Sequence, residues 1–121
     1  MPWALALALV IGGLANPRVA AAQLRRVTDT ERYDDAFRKY TKRYFGPTYD
    51  WRMFKAQGMA ESNLDASATS WVGARGVMQL MPSTFQQVRS QQPDLRWSIN
   101  NPEMNIGAGI MYDRTPGIVG C

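Results

Sequence analysis

The 121-residue chain contains no histidine and a single cysteine. Without an imidazole there is no Ser-His-Asp triad, no Cys-His pair and none of the usual His-bearing zinc sites. One cysteine allows neither an internal disulfide nor a cysteine-cluster metal site, so no metal and no cofactor is expected. Long hydrophobic runs are lacking too. The longest, Trp3 to Leu14, falls short of a membrane span, which needs about 20 residues. What remains for covalent or acid–base work is carboxylates, hydroxyls, lysines and tyrosines. A carboxylate enzyme, or no enzyme, is the starting position.

The length suits one domain. Fourteen basic residues against ten acidic give a net charge of +4. The excess is local: residues 18–45 carry eight Arg/Lys against four Asp/Glu, and residues 46–121 carry six of each. A basic balance favours polyanions in general, but an excess confined to one short segment is a weak signal. Nucleic acid is not an expected partner.

The apolar run ahead of Pro17-Arg18 and Val19-Ala20-Ala21-Ala22 has the form of a secretory signal, with small residues where a signal peptidase cuts. Cleavage after Ala22 leaves Gln23–Cys121, an exported chain with no membrane span, in the periplasm or cell envelope. The expected division is residues 1–22 as signal peptide, 23–45 as an amphipathic aromatic and basic helix, and 46–121 as the functional domain. In the middle segment, Thr28-Asp29-Thr30-Glu31 has the spacing of a capping box. Tyr33, Phe37, Tyr40 and Tyr44 then recur on one helical face, and Gly46-Pro47 ends the helix.

Asp50 is a suitable N-cap for a helix from Trp51 to about Ser62. Trp51, Phe54, Gly58 and Glu61 are spaced three, four and three, so they share a face. Glu61 is therefore expected to point toward the core near the helix C-terminal end. Burial and the negative end of the helix dipole would both disfavour its ionised form. A carboxylic acid kept protonated is what glycosidic cleavage requires to protonate the leaving oxygen.

The residues that follow narrow the reading. Positions 61–85, ESNLDASATSWVGARGVMQLMPSTF, closely resemble the transglycosylase SLT domain of soluble lytic murein transglycosylases. The matching residues are Glu61-Ser62, Ala68, Ser70, Gly73-Ala74, Gly76, Met78-Gln79-Leu80-Met81-Pro82 and Thr84. Asn105-Ile106, Gly109 and Tyr112 resemble the family's later helix. The resemblance implies an all-α, goose-type lysozyme-like fold acting on peptidoglycan glycan strands, with cell-wall or secretion machinery as candidate partners. It implies Glu61 as the catalytic acid and Ser70, Gln79, Met81 and Tyr112 as substrate-binding positions. It also implies cleavage between N-acetylmuramic acid and N-acetylglucosamine without water, leaving a 1,6-anhydro end. Asp65 is the only other carboxylate close to Glu61 in sequence, so a dedicated second group is not evident.

Beside the resemblance, the residues have their own readings. Gly73 and Gly76 punctuate a turn. Gln79 is an amide among apolar neighbours that needs hydrogen-bond partners, a sugar acetamido group being one. Met78 and Met81 could equally fill core. Pro82 suits the first position of a helix carrying Phe85 and Val88 inward, and Asn101-Pro102 starts another with Ile106 and Ile110 on one face. Tyr112 reads more readily as packing than as catalysis.

The ending Thr115-Pro116-Gly117-Ile118-Val119-Gly120-Cys121 has no helical period. Nothing in the chain matches the AYNAG-like segment of the family, and the domain is expected to be C-terminally truncated, with its activity in doubt. The alternatives to a lytic transglycosylase are a muramidase using Glu61 to direct water, and a non-catalytic peptidoglycan-binding or secretion-apparatus accessory protein.

Overall fold

Prolines open three of the helices, and residues tolerant of positive φ close two. The computed structural model describes residues 16–96 and 98–114. It contains α1 (Pro17–Glu31), α2 (Asp34–Phe45), α3 (Arg52–Ser62), α4 (Pro82–Gln91) and α5 (Pro102–Arg114). The β-type pairings among the described residues are isolated bridges, Thr69 with Arg75 and Arg75 with Leu80. No described helix is long and apolar enough to cross a membrane.

The chain forms two compact units, Met1–Arg32 and Tyr33–Cys121. In the first, Pro17 occupies the opening turn of α1 and the Asn16 side chain accepts from the Arg18 N–H at 3.1 Å. The expected cleavage point after Ala22 falls within this helix, while residues 1–15 lie outside the described set. The capping box does not form. α1 already runs through Thr28, whose hydroxyl donates back to the carbonyls of Arg25 at 2.9 Å and Leu24 at 3.1 Å. A threonine inside an established helix satisfies its hydroxyl on the preceding turn instead of capping the next one.

In the second unit α2 begins at Asp34, with Asp34 and Asp35 in its first turn and Lys42 and Arg43 in its last, the order that complements the helix dipole. Gly46, at φ 94°, stops it as expected. Phe37, Tyr40 and Tyr44 are buried. The Phe45 ring packs 4.8 Å from Tyr49 and 4.9 Å from Phe54 between ring centres, joining α2 to α3. A mostly buried ion pair, Lys55 to Asp34 at 2.6 Å, adds a second tie between these helices.

α5 runs through the centre. Every residue from Met104 to Met111 is buried, where the sequence pattern suggested a single apolar face. Two glycines make this possible. A Cβ on Gly107 would stand 2.9 Å from the Tyr40 ring, and one on Gly109 would stand 2.8 Å from the Met78 Cβ. α4 closes the core with Phe85 and Val88, as its sequence predicts.

Candidate active site

α3 starts one residue later than the sequence suggests, at Arg52 with Trp51 as its N-cap, and the Asp50 carboxylate just before it accepts from the Arg52 N–H at 3.1 Å. It ends at Asn63, which is left-handed at φ 55°, and the Asn63 N–H bonds the Met59 carbonyl at 2.9 Å. This is an αL termination, for which asparagine is among the tolerated residues. Phe54 and Gly58 are buried as predicted. Glu61 is not; it is exposed. The core space beside Gly58 is filled by Phe37, Val77 and Leu64, each about 3.2–3.3 Å from where a Cβ would stand. Leu64, brought back by the left-handed turn, takes the interior position that helical spacing assigned to Glu61. The carboxyl is left accessible to a ligand.

The loop from Asn63 to Met81 is braced on two sides. On the α3 side, the Ser62 hydroxyl donates to the Val77 carbonyl at 2.7 Å. On the α5 side, the fully buried Asn105 amide accepts from the Met78 N–H at 2.8 Å and donates to the carbonyls of Arg75 at 2.9 Å and Ile99 at 3.1 Å. Gly76 gives Asn105 its room: at φ 78°, it would bring a Cβ to 2.5 Å from the Asn105 side chain. The loop bearing Ser70 and Gln79 is thereby fastened both to the helix of Glu61 and to the helix of Tyr112.

Within the loop, the predicted binding residues turn out to make structural bonds. The Ser70 hydroxyl accepts from the Ala74 N–H at 3.0 Å. The Gln79 NH2 donates to the carbonyls of Gly76 at 2.9 Å and Ala68 at 3.2 Å, so backbone supplies the partners for which a sugar had been considered. Gln79 also holds a left-handed φ of 49°, a conformation that costs a non-glycine residue about 1–3 kcal/mol and recurs at functional sites. Met81 is exposed at the entry to α4, and Tyr112 is half-buried against the core.

The carboxylates are arranged differently from the sequence expectation. Asp65 accepts from the Ser67 N–H at 2.9 Å and hydroxyl at 2.7 Å. These bonds hold it below the usual carboxylate range and commit it to a turn. A second carboxyl within electrostatic reach of Glu61 is Asp113, near the end of α5. Burial raises it above the ordinary value, a hydrogen bond from Gln57 opposes that shift, and the nearby Glu61 charge adds to it. Gln57 stands one turn before Glu61 on α3, on the same side, and so comes near Asp113 as well. Sequence reasoning passed over both residues. The available signal was the place of Asp113 directly after the matching Tyr112.

No cluster of three or more potential metal ligands occurs among the described residues. A pocket of about 270 Å³ lined by Arg38, Thr41, Lys42, Tyr49 and Trp51 includes none of the predicted site residues.

Comparison with known proteins matches the family described as the transglycosylase SLT domain to residues 35–113. Membrane-bound lytic murein transglycosylase F of Haemophilus influenzae (strain PittEE) is 35% identical over 80 residues, which is 66% of this chain and 14% of that protein. The chain thus spans a small part of that relative. No solved structure gives a match.

Proposed function

The chain belongs to the transglycosylase SLT family, whose all-α, lysozyme-like character its helices share, and from that premise we propose that it cleaves peptidoglycan glycan strands with Glu61 as the acid. The observation that carries this reading is the setting of Glu61: an accessible carboxyl in the last turn of α3, beside a loop tied by Ser62 and Asn105 to the elements on both sides. Rigid support of this kind is what a catalytic group needs to meet one bond in one geometry.

In the proposed reaction, protonated Glu61 gives its proton to the glycosidic oxygen as the bond from the muramic C1 to that oxygen breaks. The N-acetylglucosamine side leaves with the proton, and positive charge develops at C1. The Glu61 carboxylate then takes the proton of the muramic C6 hydroxyl while O6 bonds to C1. The product is a 1,6-anhydro end, no water is consumed, and Glu61 is again protonated. Ser70 and Gln79 act in this reading by shaping the loop, while Met81 and Tyr112 flank it as candidate contacts to the sugars. The substrate lies in the cell envelope, so this reading requires export, for which the apolar run before residue 23 has the form of a signal.

Asp113 favours a second reading. A carboxylate within electrostatic reach of Glu61 could accept a proton from water, whose oxygen would then bond to C1 and leave a reducing end, as in a muramidase. Incubating the chain with purified sacculi and analysing the released ends by mass spectrometry separates the two. Anhydro ends support the transglycosylase, reducing ends support the muramidase, and binding without release would refute both in favour of a non-catalytic role.

A further inference from the structure

Trp71 has no structural employment. Its side chain is 97% exposed, the most exposed of the large apolar residues described, and its neighbour Val72 is 53% exposed. An indole left in water contributes nothing to the core, yet the backbone beneath it is unusually well fixed. The Ser70 N–H bonds the Ala74 carbonyl at 2.9 Å, the Gly73 N–H bonds the Ser70 carbonyl at 3.0 Å, and the Ala74 N–H bonds the Ser70 hydroxyl at 3.0 Å. Gly73 completes the turn at φ 93°. Below it, the Thr69–Arg75 and Arg75–Leu80 bridges and the Gln79 amide tie the turn to the braced loop.

We infer that Trp71, held at the tip of the Ser70–Ala74 turn, is a stacking platform for a sugar ring of the glycan strand. The inference rests on the peptidoglycan reading above and adds a binding residue to it. The Ser70 hydroxyl and the Gln79 NH2 are spent on the loop's own backbone, and the indole is the most exposed large apolar surface the turn offers. A pyranose presents a face of C–H groups, and such a face packs on an aromatic plane with gain from buried area and from the ring's polarity. With the backbone beneath it already fixed, binding has only the indole's own rotations to order. Trp71 lies on the same loop that the Ser62 hydroxyl ties to the Glu61 helix.

A lipid surface is the rival occupant of an exposed Trp-Val pair, since indoles favour membrane interfaces. It is the weaker fit. One indole and one valine bury little in a bilayer, and residues 33–121 carry ten basic against eight acidic groups, a net charge of only +2 to hold the unit on anionic lipid.

The test compares the chain with its Trp71→Ala and Trp71→Phe variants for co-sedimentation with purified sacculi, in parallel with phosphatidylglycerol vesicles and with sedimentation analysis of the protein alone. Trp71→Ala should weaken sacculus binding about tenfold, Trp71→Phe should restore most of it, and the thermal midpoints of all three should coincide. Equal sacculus binding by parent and Trp71→Ala would overturn the platform while leaving the peptidoglycan reading intact. Failure of even the parent to bind sacculi would overturn both. A loss confined to vesicle binding, or to self-association, would assign the indole to lipid or to a second copy and overturn the inference.

Discussion

Replacing Asn105 with alanine removes three hydrogen bonds at once from a side chain with no exposed surface. The groups left behind are not equivalent. The Met78 N–H belongs to a residue only 4% exposed and would have no water to turn to, whereas Arg75 is exposed and Ile99 half-buried, so their carbonyls can partly resolvate. A buried orphaned group costs about 1–3 kcal/mol. Taking about 2–3 kcal/mol for Met78 and about 1 kcal/mol in all for the two partly resolvated carbonyls gives about 3–4 kcal/mol. For a domain of this size 1 kcal/mol moves the melting temperature by about 4–8 °C, so a fall of at least ~12 °C is expected, read by circular dichroism at 222 nm. The Met78 amide should also lose its hydrogen-exchange protection ahead of the α5 core. Asn105→Asp keeps an acceptor for Met78 but sets a carboxylate against two carbonyl oxygens. It should be as damaging at neutral pH and recover in acid, where a protonated carboxyl can donate. A shift below about 4 °C in Asn105→Ala, with the Met78 amide still protected, would refute the view that this amide holds the loop.

Three further outcomes are expected. Gln79→Ala should cost about 1–3 kcal/mol of stability, because both NH2 bonds end on backbone carbonyls; an unchanged melting temperature with reduced turnover would instead assign the amide to substrate. Lys55→Met should cost about 3 kcal/mol by leaving Asp34 uncompensated in a mostly buried position, and Lys55→Met/Asp34→Asn should recover much of the loss in urea unfolding; a single variant as stable as the parent contradicts the tie. Burial and then Glu61 raise Asp113, so ionising it costs the folded state. That cost is absent in strong acid and sets in as pH rises through the raised value. Asp113→Asn should therefore be the more stable form at pH 7 and no more stable than the parent at about pH 3; the opposite order at pH 7 would contradict the placement.

Local signals were legible wherever one residue type does one job at a helix end. Asp50 bonds the first N–H of α3, Gly46 stops α2, and Pro82 and Pro102 open α4 and α5 as their positions suggest. The specific run from Glu61 to Pro82 was legible as a family signature, and the matched residues 35–113 contain it. Thr28 misled because a capping pattern cannot reveal that Pro17 has already begun a helix upstream. Glu61 misled for a related reason. Helical spacing states which residues share a face, and the left-handed Asn63 then swings Leu64 into the space that face would have filled. The meeting of Asp113 with Gln57 and Glu61, and the three bonds of Asn105, join residues distant in sequence. No window on the chain carries them. The glycines of α5 are similar: Gly107 and Gly109 look like weak points in a helix until Tyr40 and Met78 are seen pressed against them.

The claim on which the rest depends is that one exposed carboxyl, Glu61, protonates the bond that breaks. The most direct measurement compares muropeptide release from purified sacculi by the parent chain and by Glu61→Gln, with circular dichroism confirming that both are folded. General acid catalysis contributes about 10²–10⁴-fold, and glutamine keeps the size of the side chain while having no proton to give. The expected result is release of anhydro-ended muropeptides by the parent and a fall of at least about 100-fold in the variant. Equal release by the two folded proteins, or none by either, would contradict the proposed role of Glu61.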